Sequence, residues 1–78
     1  MLTDRLKEWR RKRAKAEGVP ARVVLPDLAL DGIVRCMPKD WADLAGIPGM
    51  DPAKLERYGD ELLVMVAAVA RSRALPAS

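Results

Sequence analysis

The sequence predicts an all-α domain of four or five short helices that bury a common core. Segments with apolar residues at helical spacing recur along the 78 residues, and proline, glycine or aspartate bounds them. Half of the residues are hydrophobic, which is enough for a packed core and argues against disorder. A chain of this length makes one small domain. We therefore expect a single domain over residues 1–78, with frayed ends at 1–5 and 74–78.

The first helix is expected to begin at Thr3 or Asp4 and to end near Glu17, because Gly18 is typical of the position just past a helix end. Its apolar stripe consists of Leu2, Leu6 and Trp9. Its basic stripe consists of Lys7, Arg11 and Lys15. The sequence leaves two interpretations of the basic stripe open, a set of phosphate contacts or a solvated helix face.

Residues 19–26 are expected to form an extended connection, because each of its two prolines disfavours helix at the preceding residue. Within this connection, Arg22 is expected to point to solvent. The next helix is predicted over Asp27–Met37, and Pro38 closes it. Gly32 lies inside that helix, where it costs roughly 1 kcal/mol relative to alanine, and a close helix–helix approach would explain it.

Asp40 is predicted to cap a helix of one or two turns over residues 41–45, with Asp43 at the capping-box position. Trp41 in this helix has two interpretations. It is either a platform on which a base stacks or a residue that packs on the core.

The stretch Ile47–Gly59 is predicted to form a tight Pro-Gly turn and then a short helix that ends at the second glycine. The first N–H groups of a helix lack intrahelical partners and suit an anion. Lys54 and Arg57 lie one turn apart on the same side of this helix, which indicates a phosphate contact. Asp51 is expected to cap the helix, and its carboxylate opposes an anion at the same place.

The final helix is predicted from Asp60 to about Ala74. Residues 62–70 are apolar on every side, which is typical of a central helix or of one that offers a face to a partner. This run is too short to span a membrane, so no membrane partner is expected. The N-terminus is charged from its fourth residue, and we expect no secretory signal.

The composition excludes most catalytic and metal-binding sites. The chain has no His, Asn or Gln and a single Cys, Cys36. A zinc site of Cys and His ligands cannot be built, and no internal disulfide can form, which fits a reducing cytosolic setting. Cys36 itself is interpreted as a small apolar residue on a helix. We expect no catalysis, no metal and no cofactor in this domain.

Positive charge is concentrated towards the N-terminus. The formal charge is +3, but residues 1–22 hold eight basic residues against three acidic ones. A domain with one basic end suits a polyanionic partner. Without Asn or Gln, only Arg and Lys remain as readers of base edges, so little sequence preference is expected.

In order and spacing, these features resemble the HRDC domain, the helicase-and-RNase-D C-terminal module, over about residues 6–70. The resemblance rests on residues 6–10 (LKEWR), 18–21 (GVPA), 23–27 (VVLPD), Leu30, Pro38, Leu44, 47–49 (IPG) and above all 54–59 (KLERYG). The last of these is most similar to the bacterial RecQ-like helicase branch. The resemblance implies a compact bundle of about five helices with a helix-hairpin-helix-like phosphate contact at the turn. It also implies an accessory module of a larger cytoplasmic helicase or nuclease that binds single-stranded or partly single-stranded DNA weakly.

Two positions depart from the family pattern. Family members often show a Gly-hydrophobic-Gly turn where this chain has Gly49-Met50-Asp51, and many carry Tyr at the position of Arg22. The carboxylate at 51 repels a phosphate, and Arg at 22 adds a charge but loses the base stacking of Tyr. These departures predict an altered binding surface.

We therefore predict a non-catalytic accessory domain of a RecQ-type DNA helicase, monomeric in isolation, that contacts DNA phosphates without sequence preference. The predicted contacts are Arg10, Arg11, Arg22, Lys39, Gly49, Lys54 and Arg57. The alternative is a regulatory module that docks on the parent helicase core and tunes its choice of DNA structure. In that case the apolar last helix and the acidic residues near the turn would form the docking surface.

Overall fold

This computed structural model describes residues 2–74, with side chains through residue 72. Five helices and their short connections lie within this range. They are α1 (Leu2–Glu17), α2 (Ala21–Val24), α3 (Asp27–Cys36), α4 (Trp41–Ala45) and α5 (Pro52–Ala74). No strand occurs between residues 2 and 74, so the expected all-α fold class is confirmed. Residues 75–78 of the expected frayed end lie outside the described part.

The core lies between α1, α3 and α5. Helix α1 packs against α2, α3 and α5, and α4 packs against α5. The fully buried side chains of largest volume are Leu6, Leu25, Ile33, Leu44, Leu62 and Val24. These residues come from every helix or its border, so each short helix is held by burial of its apolar face rather than by its own propensity.

Helix α1 begins earlier than the sequence indicated. We expected a start at Thr3 or Asp4 and fraying through residue 5, but the helix starts at Leu2, whose side chain is only 5% exposed. Leu2 lines an apolar groove together with Met37 and Val69. Its burial there offsets the entropy of ordering the first turn.

The expected extended connection of residues 19–26 is wrong in its centre, where α2 forms one helical turn. Each proline restricts only the residue before it, and Leu25 is indeed extended at φ −153° and ψ 113°. The four residues between are free to turn, and Val23 N–H donates to the carbonyl of Pro20 at 2.9 Å. The turn carries the side chain of Val24 into the core.

The predicted helix end at Gly59 is also wrong. Helix α5 runs through Gly59 for 23 residues, from Pro52 to Ala74. A Cβ at Gly59 would lie 2.8 Å from Cζ3 and from Cη2 of Trp41. Glycine is therefore present because the indole of α4 lies directly on the α5 backbone, not because the helix stops.

The turn of residues 47–50 docks on α3. Gly49 has φ +88° and Met50 N–H donates to the carbonyl of Ile47 at 3.1 Å, as in a turn with Pro and then Gly at its centre. A Cβ at Gly49 would lie 3.3 Å from the backbone nitrogen of Ala29. A Cβ at Gly32 would lie 2.8 Å from Cγ2 of Ile47. From the sequence, a close approach of another helix would explain Gly32. A close approach exists there, but the neighbour is Ile47 of the turn.

Helix α4 is capped as the sequence predicted. Asp43 N–H donates to Oδ1 of Asp40 at 2.9 Å. The side chain of Asp43 accepts from the N–H of Lys39 at 3.3 Å, one residue before the cap. These two bonds fix a helix of only five residues, although the second reaches the residue before the cap rather than the cap N–H of a capping box.

Candidate nucleic-acid interface

A shallow groove lies between α1, α2 and the start of α3. Its lining residues are Arg10, Pro20, Ala21, Arg22 and Asp27. Arg22 is exposed, as expected from the sequence, and forms no ion pair with any carboxylate of residues 2–72. The groove therefore brings two of the predicted contacts, Arg10 and Arg22, to one surface. We call it the α1–α2 groove.

Arg10 is held in place by neighbouring chain segments rather than projecting freely. Its Nη1 donates to the carbonyl of Leu25 at 2.9 Å and to Oδ1 of Asp27 at 2.7 Å. The Arg10 side chain is 15% exposed, whereas the Asp27 side chain is 92% exposed. The guanidinium thus ties α1 to the end of α2 and to the first residue of α3, at the lining of the groove.

The basic stripe of α1 continues this surface. Lys7 precedes Arg10 by three residues and Arg11 by four, so it lies beside both on the helix. Lys7 and Lys15 are exposed and pair with no carboxylate among residues 2–72. The stripe and the α1–α2 groove together bring five basic residues to one side of the chain, and three of them (Lys7, Lys15 and Arg22) have no carboxylate partner among residues 2–72.

Arg11 is exposed but already engaged. Its Nη2 and Nε donate to the two carboxylate oxygens of Glu8 at 2.8 and 3.3 Å. These bonds hold the pKa of Glu8 below its usual value and raise that of Arg11. Because both groups are exposed, a phosphate can replace Glu8 at little cost.

At the Pro-Gly turn, Lys54 faces a carboxylate instead of open solvent. Asp51 accepts from the N–H of Lys54 at 2.8 Å and from its Nζ at 3.3 Å. The backbone hydrogen bond from Lys54 is the main reason why the pKa of Asp51 is lowered. The predicted cap is thus present, and the same carboxylate occupies the N–H donor that an anion would use. Gly49 serves the turn and its packing on α3.

Arg57 belongs to a charged cluster around Tyr58. The Tyr58 hydroxyl donates its single proton to the Glu17 carboxylate, whose two oxygens lie 2.7 and 2.9 Å from the hydroxyl oxygen. Nη2 of Arg57 lies 3.7 Å from Oε1 of Glu17. The guanidinium carbons of Arg57 and Arg13 lie 5.8 and 5.4 Å from the centre of the Tyr58 ring. Burial, and then the hydrogen bond to Glu17, raise the pKa of Tyr58. The ring of Trp9 packs edge-on against the Tyr58 ring, with 5.4 Å between the two ring centres.

Lys39 lies apart from these groups, in the linker between α3 and α4. It borders an apolar groove lined by Met37, Pro38, Leu63, Val66, Ala67 and Ala70. Trp41 follows two residues later, 42% exposed. Its indole lies on α5 at Gly59, which supports the packing interpretation, and the stacking interpretation stays a prediction.

The predicted contacts therefore fall into separate groups rather than one site. Arg10 and Arg22 line the α1–α2 groove, and Arg11 pairs with Glu8 on the exposed stripe of α1. Lys54, Arg57 and Lys39 belong to three other settings. The sequence missed the pairing of Arg10 with Asp27, seventeen residues away, since no local pattern joins the two. The ion pair between Arg13 and Glu17 was also missed. The spacing of four residues within a helix is the signal that could have predicted it.

A model of the HRDC domain family matches residues 1–66. The chain belongs to the HRDC domain family. The ATP-dependent DNA helicase UvrD2 of Mycobacterium tuberculosis is 45% identical over 65 residues, which cover 83% of this chain and 9% of the helicase, and UvrD2 of Mycobacterium bovis matches equally. Ribonuclease D of Pseudomonas paraeruginosa is 35% identical over 63 residues, 81% of this chain and 17% of the nuclease.

Among solved structures, this HRDC domain is similar to the D. radiodurans RecQ HRDC domain 3. The TM-score is 0.83 at 32% identity, and the match covers 88% of this chain and 91% of the other. The expected resemblance to the HRDC family is thus confirmed. The chain spans less than a fifth of the length of the curated relatives that it matches.

Two further findings concern the described residues alone. No group of three or more His, Cys, Asp or Glu side chains placed to hold a metal ion occurs among them. None of the helices there combines the length and the apolar character that a bilayer crossing requires.

Proposed function

We propose that this HRDC domain binds single-stranded or partly single-stranded DNA weakly, as an accessory module of a DNA helicase. The observation that carries the proposal is the exposed, unpaired Arg22 at a groove that it shares with Arg10, beside the unpaired lysines of α1. Both the helicase UvrD2 and the D. radiodurans RecQ contain a similar domain, which supports a helicase as parent protein. We propose further that the domain acts in the bacterial cytoplasm and is monomeric in isolation.

The contacts are with phosphates and not with base edges. The groove and the α1 stripe offer guanidinium and ammonium groups, which position a backbone without reading sequence. Three such contacts on a single strand give a salt slope of about 2, which is the shallow salt dependence of a weak interaction. Lys39, Gly49, Lys54 and Arg57 make separate and weaker contacts, since Asp51 and Glu17 already neutralise Lys54 and Arg57.

Titration of a fluorescent single strand with the domain at two salt concentrations tests the proposal. Arg22→Ala should weaken binding by about three- to tenfold at low salt and reduce the salt slope by about 0.7. Arg35→Ala is the matched control, since Arg35 is 77% exposed, lies on α3 and carries the same charge. Absence of binding at low salt, or equal losses in the two variants, would contradict a DNA site in this groove.

A second candidate function is docking on the parent helicase, and one observation favours it. The outer side of α5 is apolar yet exposed, with Val64 at 68% exposure and Ala67 and Ala68 also exposed. Such a face is typical of a contact surface. Val64→Glu should leave binding of the isolated domain to DNA nearly unchanged and alter the unwinding of forked DNA by the intact helicase. If unwinding is unaffected, docking through this face is excluded.

A further inference from the structure

The carboxylate of Asp27 is bonded to Arg10, one of the two guanidinium groups that line the α1–α2 groove. Its Oδ1 accepts from Arg10 Nη1 at 2.7 Å, the distance of a charge-assisted hydrogen bond. Both residues line the α1–α2 groove with Arg22. A negatively charged oxygen therefore already lies at the rim of the groove, bonded to one of its two guanidinium groups.

The two partners of Arg10 differ in how easily they are displaced. The carbonyl of Leu25 belongs to the backbone next to a side chain that is fully buried, so this bond persists as long as the fold does. The side chain of Asp27 is 92% exposed and returns to water when released. Exposed ion pairs contribute little stability, so a phosphate that brings a full charge and releases counterions can compete.

We propose that Asp27 is an intramolecular competitor of DNA, and that a phosphodiester group binds Arg10 only by displacing this carboxylate. The inference rests on the proposed function, since it concerns the same groove. Arg10 is then a guanidinium that the bond to Leu25 holds in position, Arg22 is an open contact, and Asp27 lowers the affinity of the pair for DNA. This arrangement keeps binding weak although two guanidinium groups share one groove.

The competitor also changes the ionic balance of binding. In the native domain, a strand that reaches Arg10 frees the Asp27 carboxylate, which attracts cations back from solution. This uptake cancels part of the counterion release from DNA, so the contact at Arg10 contributes little to the salt slope. Without the carboxylate, the same contact should add its full share.

Asp27→Asn tests the proposal because it removes the charge and keeps the size. On a single strand at low salt, it should bind at least about threefold more tightly than the native domain, with a salt slope greater by about 0.7. Asp31→Asn is the matched control, since Asp31 is an exposed carboxylate one turn further along α3 that pairs with Arg35. It adds the same net charge and should change affinity by less than about 1.5-fold. Asp27→Glu keeps a carboxylate within reach of Arg10 and should bind like the native domain.

The outcomes separate the inference from the proposed function. Equal gains in the two Asn variants would overturn the competitor role and leave only a general charge effect. Unchanged or weaker binding by Asp27→Asn, in a domain whose circular dichroism is native, would also overturn it and make Asp27 a residue that positions Arg10. If the native domain fails to bind but Asp27→Asn binds, the competitor role is supported and weak native binding is disproved. If neither binds, both the groove and the competitor are refuted.

Discussion

Replacing Gly59 with alanine tests whether α5 runs unbroken beneath the ring of Trp41. A Cβ at this position would lie 2.8 Å from two ring carbons, closer than real carbon atoms approach without movement. Two opposing effects decide the outcome. Alanine is favoured over glycine inside a helix by about 1 kcal/mol, whereas the added methyl group must push the indole away from the helix.

The size of the second effect follows from how much of Trp41 is covered. The residue is 42% exposed, so somewhat more than half of its surface is hidden. For an aromatic side chain of this size, that is about 140 Å², or about 3.5 kcal/mol at ~25 cal/mol per Å² if all of it were lost. Because the ring lies at the surface and can slide, we expect about half of this loss. When the gain in helix propensity is subtracted from this loss, Gly59→Ala should lower the free energy of unfolding by roughly 1 kcal/mol. The midpoint of thermal unfolding should then fall by about 4–8 °C.

Urea unfolding followed by circular dichroism measures this change in two backgrounds. In the native background, Gly59→Ala should destabilise the domain, and in a Trp41→Ala background it should stabilise it by about 1 kcal/mol. Destabilisation of similar size in both backgrounds would mean that the backbone itself requires glycine, as at a helix end. Stabilisation in both would mean that the indole does not lie on α5. Either result would refute the reasoning.

Two further predictions concern ionisable groups. Tyr58→Phe should lower the free energy of unfolding at neutral pH by about 1 kcal/mol, because Glu17 loses a partly buried hydroxyl donor. The pKa of Tyr58 is raised on folding, so its stabilising effect is complete below about pH 10 and declines as the pH rises through the folded value. Unfolding midpoints of the native domain and the variant should therefore converge in alkali, and a constant gap would contradict this. Asp51→Ala should lower the thermal midpoint at pH 7 through loss of the cap at Lys54. The pKa of Asp51 is lowered on folding, so the stability that the cap contributes is present above about pH 4 and is lost as the pH falls through the folded value. A difference in thermal midpoint between the native domain and Asp51→Ala that persists in strong acid would disprove this.

The fold could be predicted from the sequence where local signals agree with packing. The caps at Asp40 and Asp51 and the Pro-Gly turn are short-range features, and all three are present. The prediction at Gly59 was wrong because a glycine that ends a helix and one that accommodates a neighbouring ring look alike in sequence. Only the tertiary contact with Trp41 distinguishes them.

The candidate site was less predictable than the fold for a related reason. Basic residues can be read from a sequence, but the carboxylates that meet them can be read only when they lie within one helical turn. Lys54 and its partner are three residues apart and the pairing was foreseeable, whereas Arg10 and Asp27 meet only because α2 returns the chain to α1. Which cations remain open to a ligand is thus a property of the folded chain.

The two tryptophans lie against consecutive residues of α5, Trp9 of α1 against Tyr58 and Trp41 of α4 against Gly59. Successive residues of a helix point about 100° apart, so each indole reports on a different side of the same turn. Fluorescence of the two single-tryptophan variants should therefore follow the release of α1 and of α4 separately. Coincident curves would show that the domain unfolds as one unit, and an earlier transition at Trp41 would show that α4 and the turn open first.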